Sequence, residues 1–242
     1  MPPRRRRKLR LLRTALVVSF LVVLALIAWE ASTWPDVASL ARRNPSTTAF
    51  IDRYRAQQRA AGRDDRVQRA WVPYAAIAPS LKRAVLVAED INFFSHHGFD
   101  VGEMRNAVNK ALEDGEAPRG ASTISQQLAK NLWLSPSRNP LRKLEEAILT
   151  WRLERTLAKR RILELYLNVV EFGPGVYGAE AASRRYFGKS AAELRDDEAA
   201  QLAASLPSPA TWHPGSARRG YQRHVESISR RMAKAAFLAG QL

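Results

Sequence analysis

Residues 120–131 read GASTISQQLAKN, and this stretch decides the fold because it predicts a helix with two chemically different sides. Ile124, Leu128 and Leu132 recur every four residues, which places them on one side, facing a core. The opposite side lacks the mixed Glu and Lys of a solvated surface. It carries amides, hydroxyls and one cation instead, which are suited to binding sugar hydroxyls and a phosphate. Together with the residues that cap the helix start, these groups are Ser122, Thr123, Gln126, Gln127, Lys130 and Asn131. An amide-rich surface helix without a ligand is the plainer interpretation.

Helical periodicity continues through most of the chain after residue 70. The clearest predicted helices span residues 81–90, 141–158, 161–168, 179–187 and 221–238. Gly188 is a typical helix stop, and Ser190 and Asp196 are typical N-caps of two more helices. No segment alternates apolar and polar residues convincingly enough to predict a strand, so we expect an all-α fold.

The beginning of the chain has the pattern of a membrane anchor. Residues 1–13 are basic and predicted to be cytoplasmic, and residues 14–34 contain an apolar run that predicts one transmembrane helix. At about 1.5 Å per residue, a helix over residues 11–29 spans roughly 28 Å, close to the thickness of a hydrocarbon core. A cleaved signal peptide is the alternative, but Trp29 and Glu30 interrupt the small residues that a cleavage site needs.

Charge and composition limit the partners of this chain. Its formal net charge is +16, which suits nucleic acid, an anionic membrane or a phosphate-bearing substrate. The anchor would place residues 35–70, a predicted connector with one helix, and residues 71–242, the predicted main domain, outside the cytoplasm. We therefore expect no nucleic-acid partner. The absence of cysteine excludes disulfides, thiolate–metal sites and a cysteine nucleophile.

Two acidic segments are candidate reactive sites. An apolar helix runs directly into Glu89 and Asp90, and a carboxylate in such surroundings costs free energy unless it is hydrogen-bonded or used chemically. A cap or an ion pair is the structural interpretation of either residue. Glu146 follows Arg142 and Lys143 at helical spacing, which by itself predicts only an ordinary helical ion-pair cluster.

Taken in order, the motifs of this chain resemble those of the peptidoglycan glycosyltransferases (glycosyltransferase family 51). They are EDINFFSHHG at 89–98, GASTISQQLAKN at 120–131, RKLEE at 142–146, KRRILELYLNVVEFG at 159–173 and EAAQLAASLPSP at 198–209. The resemblance implies a lysozyme-like, α-helical domain with a cleft between a head and a smaller, membrane-dipping jaw near residues 99–119. The chain resembles the monofunctional biosynthetic branch of the family, which has no transpeptidase domain. Three features carry this resemblance: the segment 170–178, the end of the chain soon after these motifs, and the lack of an S-x-x-K motif.

The resemblance also implies roles for individual residues. Glu89 matches the general base, and Glu146 matches a second essential carboxylate that either orients Arg142 and Lys143 or holds a divalent cation, Mg²⁺ or Mn²⁺. The cations that match those around the donor diphosphate are Lys130, Arg138, Arg142 and Lys143. The matching substrate-lining residues are Ser122, Thr123, Gln126 and Gln127, and the positions expected to be architectural are Asp90, Phe93, His96, Gly98 and Asn168. No organic cofactor is expected.

The implied activity is polymerisation of lipid II into linear β-1,4-linked glycan strands at the outer face of the cytoplasmic membrane, with release of undecaprenyl diphosphate. Because a diphosphate leaves with negative charge, a basic site suits this transfer better than hydrolysis, which needs a proton donor. Expected partners are lipid II, the nascent lipid-linked glycan, the membrane and other cell-wall synthesis or division proteins. The rival interpretations are a lysozyme-like hydrolase and a non-catalytic basic module tethered to the membrane.

Overall fold

The computed structural model describes residues 11–25, 34–115, 120–134 and 140–242, and the chain divides into two units, Met1–Asp36 and Val37–Leu242. In the first unit, residues 11–25 form an exposed helix, α1. Residues 26–33 of the predicted anchor lie outside the described residues. Among the helices that the structure describes, none is both long enough and apolar enough to cross a membrane.

Helices dominate the second unit, as the periodicity predicted. They are α2 (Ala49–Ala60), α3 (Pro79–Glu89), α4 (Val101–Asp114), α5 (Ile124–Trp133), α6 (Pro140–Thr156), α7 (Lys159–Val169), α8 (Ala179–Phe187), α9 (Asp196–Ser205) and α10 (Arg219–Lys234). Gly188 ends α8 in the left-handed conformation, and Ser190 caps a short 3-10 helix. Asp196 is the first residue of α9 rather than its cap, a position that Arg195 occupies.

Two groups of helices position the site. In the first group α3, α9 and α10 pack against one another, and in the second α5 packs against α6 and α7. The buried faces of α3 and α9 are rich in small side chains, including Ala84, Ala199 and Ala203, which allow the two helices to approach closely. Because Glu89, the predicted base, is the last residue of α3, the packing of α3 fixes the position of Glu89.

Helix α5 has the apolar side that its sequence predicted, but Gln126 and Asn131 on the predicted polar side are buried as well. Ile124, Leu128 and Leu132 are buried on one side. Thr123 is the N-cap, and its Oγ1 accepts a hydrogen bond from the Gln126 backbone N–H at 3.3 Å. In return, the Gln126 side chain accepts a hydrogen bond from the Thr123 backbone N–H at 3.0 Å, which completes a capping box. The start of α5 is thereby fixed at the edge of the site.

A small sheet corrects the all-α prediction. Its strands are β1 (Gln68–Arg69), β2 (Glu171–Gly173) and β3 (Val176–Tyr177). They lie in the order β1-β3-β2, with β1 parallel and β2 antiparallel to β3. Strands of two or three residues are too short to show an alternating pattern, which is why the sequence did not predict them.

The turn between β2 and β3 requires glycine at two positions. A Cβ atom on Gly173 would overlap the hydroxyl group of Tyr186. A Cβ atom on Gly175 would lie 2.7 Å from the hydroxyl oxygen of Tyr54, and Gly175 also has a φ of 71°. The turn is therefore held between a tyrosine of α2 and a tyrosine of α8.

The segment predicted as a connector is part of the domain. The compact unit begins at Val37, and no boundary separates residues 37–70 from the rest. Arg161 of α7 donates from Nε to the Leu40 carbonyl at 2.8 Å and from Nη2 to the Arg43 carbonyl at 2.9 Å. Helix α2, which Thr48 caps, packs against α5. The boundary predicted at residue 70 therefore needs correction.

Candidate active site

Glu89 is half-buried at the C-terminal end of α3, with its carboxylate turned towards α5. Its Oε2 accepts a hydrogen bond from Gln127 Nε2 at 2.7 Å. Burial raises the pKa of Glu89, and the Gln127 hydrogen bond and the charges of Lys130 and Arg231 offset part of this increase. The carboxyl therefore holds a proton more readily than an exposed glutamate, which is the property that a general base needs.

The orientation of Gln127 is fixed by Tyr166 of α7. The Tyr166 hydroxyl donates to Gln127 Oε1 at 2.8 Å. Because the amide oxygen is occupied in this way, the amide nitrogen must face Glu89. Burial, followed by the charges of Glu89 and Asp90, raises the pKa of the Tyr166 phenol well above its usual value, so the hydroxyl stays protonated and donates.

Sequence reasoning missed Tyr166 as a site residue. A signal was present, because Tyr166 lies on the apolar face of a helix and a buried tyrosine hydroxyl needs a polar partner. The partner itself, on α5, could not be inferred from the spacing within α7.

A cavity of about 150 Å³ lies beside Glu89. Its walls come from the end of α3, the start of α4, the segment before α5 and α10. Its polar lining residues are Glu89, Asp90, Asp100, Glu103, Ser122, Thr123 and Arg231. Arg231 is the second residue that sequence reasoning missed, and burial lowers its pKa while the charge of Glu89 raises it. A cation therefore faces the candidate base from the C-terminal helix.

Lys130 connects Glu89 with the second acidic site. Burial lowers the pKa of Lys130, the charges of Glu146 and Glu89 raise it, and those of Arg142 and Lys143 lower it. All four charged groups are thus close enough to Lys130 to act on its titration. The structure therefore brings together the two predicted carboxylates and three of the four predicted cations around one half-buried ammonium group.

Glu146 is buried between the two cations that precede it on α6. Its Oε2 accepts a hydrogen bond from Arg142 Nη1 at 3.1 Å, and its Oε1 is bonded to Lys143 Nζ. Thr150 donates its hydroxyl to the Glu146 backbone carbonyl at 2.7 Å. A buried carboxylate with both oxygens occupied by cations holds those cations in place. Arg138, the fourth predicted cation, lies outside the described residues.

The four residues predicted to line the substrate surface differ in their placement. Ser122 is exposed, and Gln127 is half-buried beside Glu89. Thr123 and Gln126 are buried, since they form the capping box described above. Thr123 also donates its hydroxyl to the Gly98 carbonyl at 2.7 Å. The side chains of Thr123 and Gln126 therefore shape the site by fixing its backbone.

The residues predicted to be architectural form a hydrogen-bonded connection between the ends of α3 and α5. Asp90 Oδ2 accepts from the Ile124 backbone N–H at 2.9 Å, and Asp90 Oδ1 contacts His96 Nε2 at 2.9 Å. The Gly98 N–H donates to His96 Nδ1 at 3.1 Å, so His96 carries its proton on Nε2 and donates it to Asp90. Asp90 thus holds the start of α5 next to Glu89.

Phe93 and Asn168 support the site from further away. Phe93 is fully buried, and the ammonium group of Lys159 lies 4.4 Å from the centre of its ring. Asn168 is also fully buried and bonds both backbone polar groups of Val72, donating to the carbonyl and accepting from the N–H, each at 2.9 Å. This pairing attaches the chain before α3 to the end of α7.

The donor set around Glu146 does not fit a protein-bound divalent cation. Within residues 11–25, 34–115, 120–134 and 140–242, no group of three His, Asp or Glu side chains is placed to hold a metal ion. Both Glu146 oxygens already bind cationic side chains. Mg²⁺ prefers oxygen ligands in an octahedral arrangement, and a single carboxylate flanked by Arg142 and Lys143 does not supply one.

The sequence profile of the transglycosylase family matches residues 55–233. The chain belongs to the transglycosylase family. This transglycosylase is 50% identical over 193 residues to a biosynthetic peptidoglycan transglycosylase of Thiobacillus denitrificans, covering 80% of this chain and 83% of that protein. It is 43% identical over 219 residues to the one of Chromobacterium violaceum, covering 90% of this chain and 93% of that protein. The one of Azoarcus sp. is 44% identical over 224 residues, covering 93% of this chain and 95% of that protein.

Family membership makes this transglycosylase a glycosyltransferase enzyme. Its mainly helical second unit agrees with the lysozyme-like architecture that the motifs implied. The described site lies entirely within the residues that match the family. They include the two carboxylates, Glu89 and Glu146, and the cations Lys130, Arg142, Lys143 and Arg231.

Proposed function

We propose that this transglycosylase polymerises lipid II into linear β-1,4-linked glycan strands and releases undecaprenyl diphosphate. One observation carries the proposal: a half-buried carboxylate with a raised pKa, Glu89, lies close to a group of cationic side chains centred on Lys130. A single base with several cations suits a leaving group that departs as an anion. A glycosidase instead needs a second carboxylic acid that protonates a poor leaving group.

In the proposed reaction Glu89 accepts the proton of the C4 hydroxyl of the acceptor's N-acetylglucosamine. The C4 oxygen forms a bond to the anomeric carbon of the donor, and the bond from that carbon to the diphosphate oxygen breaks. The electron pair of that bond leaves with the diphosphate. A single displacement of this kind inverts an α-linked donor into a β-linked product, with the growing strand as donor and lipid II as acceptor.

The cations of the site would stabilise the departing diphosphate. Lys130, Arg142 and Lys143 lie near one another on α5 and α6, and Arg231 of α10 lines the cavity beside Glu89. Each charge-assisted contact to a phosphate oxygen is stronger than one between neutral groups. Because Glu146 holds Arg142 and Lys143 before the substrate arrives, these two side chains need little reorganisation when negative charge develops.

We assign Glu146 the role of orienting Arg142 and Lys143. The two side chains occupy its two carboxylate oxygens, so their positive groups are directed by a buried anion rather than by solvent. A mobile cation pair would lose conformational entropy on binding the diphosphate, and a fixed pair avoids that cost.

The proposed location is the outer face of the cytoplasmic membrane, with a single N-terminal anchor over residues 14–34. The basic residues before that segment and its apolar composition support this orientation. Exposed apolar side chains on α4, where the jaw was predicted, support contact between the domain and lipid. They are Val101, Met104, Val108 and Leu112. Other cell-wall synthesis or division proteins remain proposed partners.

The proposed function is tested by giving the purified full-length protein two substrates separately. Labelled lipid II in detergent should yield glycan chains of increasing length, and intact peptidoglycan sacculi should release no soluble fragments. Soluble fragments from sacculi without polymer from lipid II would identify a hydrolase instead. A protein that binds DNA in a salt-dependent manner and leaves both substrates unchanged would support a basic binding module.

A further inference from the structure

A second cavity, of about 370 Å³, lies between α2 and the turn that connects β2 with β3. None of its lining residues also lines the cavity beside Glu89. The side chains that define it are those of Phe50, Arg53, Tyr54, Gln57, Gln58, Glu171 and Tyr177. Its volume is in the range of sites that bind small molecules or single side chains. Its lining combines aromatic rings with one carboxylate, that of Glu171, and one guanidinium, that of Arg53.

Glu171, like the half-buried Glu89 and Glu145, differs from the other partly or fully buried glutamates of the described fold. Several of those have a Lys or Arg nitrogen within ion-pair distance, namely Glu146, Glu154, Glu164, Glu180 and Glu198. Within the described part of the chain, no Lys or Arg forms an ion pair with Glu171. The Gly175 backbone N–H lies close enough to lower the pKa of the Glu171 carboxyl group. A half-buried carboxylate without a cation leaves a favourable interaction unmade.

The aromatic rings near Glu171 are a second group that attracts a cation, besides the carboxylate. Tyr54 and Tyr177 meet edge to face with their ring centres 6.2 Å apart, and Phe50 lines the same cavity. Ring faces attract ammonium groups, most strongly where water is excluded. The cavity therefore offers a negative charge and aromatic surface side by side.

The same chain shows how these two groups hold an ammonium. Lys159 Nζ lies 4.4 Å from the centre of the Phe93 ring and 2.8 Å from Glu154 Oε1, so one aromatic ring and one carboxylate hold it. The cavity at Glu171 presents the same pair of partners without a lysine from the described residues.

We propose that this cavity binds an alkylammonium group at the end of a flexible aliphatic chain, the chemistry of a lysine-like side chain on a peptide. The ammonium would pair with the Glu171 carboxylate, and the methylene chain would lie against Phe50 and Tyr54. An amine of this kind supplies the missing positive charge and covers the apolar part of the lining in one ligand.

The charge state of Glu171 makes the proposed binding depend on pH. Burial raises the pKa of Glu171 to about 7, against a smaller lowering by the Gly175 hydrogen bond. The other titratable groups that line the cavity are Arg53 and Tyr54 on α2 and Tyr177 on β3. On α8, Tyr186 is close enough for the charges of Arg185 and Glu171 to act on its titration. Tyr177 and Tyr186 keep their charge state between pH 6 and 8, because burial raises the pKa values of both phenols. Protonation of Glu171 alone should therefore weaken ammonium binding by about tenfold from pH 8 to pH 6.

Isothermal titration calorimetry of the full-length protein in detergent tests the proposal with Nα-acetyl-lysine N-methylamide. We expect binding at millimolar concentration and none for the Nε-acetylated derivative, which has the same chain without the charge. Glu171→Gln keeps the side-chain shape and removes the charge, and it should reduce the affinity at least tenfold. Phe50→Leu should reduce it about threefold.

Two matched variants separate this site from the rest of the molecule. Glu226→Gln removes an exposed carboxylate from α10, and Glu89→Gln removes the proposed base, so both should bind the lysine derivative as the unchanged protein does. Absence of binding in the unchanged protein would overturn the proposal. Binding that persists in Glu171→Gln, or tighter binding of neutral N-acetylglucosamine than of the amine, would also overturn it.

Discussion

Gln127 holds Glu89 through a 2.7 Å hydrogen bond from its amide nitrogen, while its amide oxygen accepts a 2.8 Å hydrogen bond from Tyr166. Three side chains from α3, α5 and α7 thus form one connected series. The candidate base is positioned by a group whose own orientation is already determined, which is how a site maintains reactive geometry without bound substrate.

Glu89→Gln should reduce lipid II polymerisation by about 10²–10⁴-fold, the usual contribution of a general base. The free energy of unfolding at pH 7 should not fall, because burial already disfavours the charged form of Glu89. Polymer formation and urea unfolding measure the two effects. Glu226→Gln is the matched control, and activity of Glu89→Gln at the control's level would remove Glu89 from its proposed role.

Tyr166→Phe should lower kcat about fivefold to tenfold, corresponding to ~1 kcal/mol for one neutral hydrogen bond. The ring and its packing remain, but the Gln127 amide can then rotate away from Glu89. Tyr221→Phe is the control, since it removes a hydroxyl that donates to the Gln201 carbonyl at 3.0 Å and does not line the cavity beside Glu89. Equal kcat values for the two variants would contradict a positioning role for Tyr166.

Arg231→Gln should move the acidic limb of the pH profile of kcat/KM to higher pH. The base acts in its ionised form, so activity is lost as the pH falls through the pKa of Glu89. The positive charge of Arg231 lowers that pKa, and its removal therefore raises it. Arg230→Gln, one residue away and exposed, should leave the limb in place. A shift to lower pH in Arg231→Gln would show that the assigned coupling is wrong.

Glu146→Gln should reduce kcat/KM by about 10²-fold, because Arg142 and Lys143 lose the anion that directs them. An orienting role predicts the same loss with and without a chelator. Glu145→Gln changes the neighbouring, half-buried position and should leave kcat/KM within about twofold. A chelator effect in the unchanged protein that disappears in Glu146→Gln would instead support a metal at this carboxylate.

Two glycine variants compare the stability cost of a side chain at Gly178, beside the end of α7, with the cost at Gly188, where there is open space. Gly188→Ala meets no atom within 4 Å, and its left-handed φ of 69° should cost about 1–2 kcal/mol of unfolding free energy. Gly178→Ala has a φ of 87°, and its new Cβ would lie 2.7 Å from the Asn168 carbonyl oxygen. It should therefore be clearly less stable than Gly188→Ala in urea titrations. Equal losses of unfolding free energy in the two variants would mean that the backbone near Asn168 shifts at little cost to make room for the new Cβ.

The sequence predicted those features that depend on residues close together in the chain. Ile124, Leu128 and Leu132 are buried because their spacing lies within one helix. The pairing of Glu146 with Arg142 and Lys143 follows from the same local geometry. The long ordered motifs led to the family, which the comparisons confirmed.

The missed features depend on contacts between distant segments. Tyr166 reaches Gln127 across 39 positions, and Arg231 reaches Glu89 from the last long helix, so neither contact leaves a pattern in a short window. The sheet was missed because its strands are too short to show a pattern and because β1 pairs with a strand more than a hundred residues later. The burial of Thr123 and Gln126 was missed because their polar side chains satisfy each other.

The contacts between residues 37–70 and the rest of the domain determine where the protein can be truncated at its N-terminal end. A shortened protein that starts at Trp71 would lack β1 and the α2 wall that packs on α5, and would leave the Arg161 guanidinium without its carbonyl acceptors. Such a fragment should be poorly soluble, whereas one that starts a few positions before Val37 keeps all three features. The upstream boundary for crystallisation or assay therefore lies at the tryptophan–proline pair of positions 34 and 35.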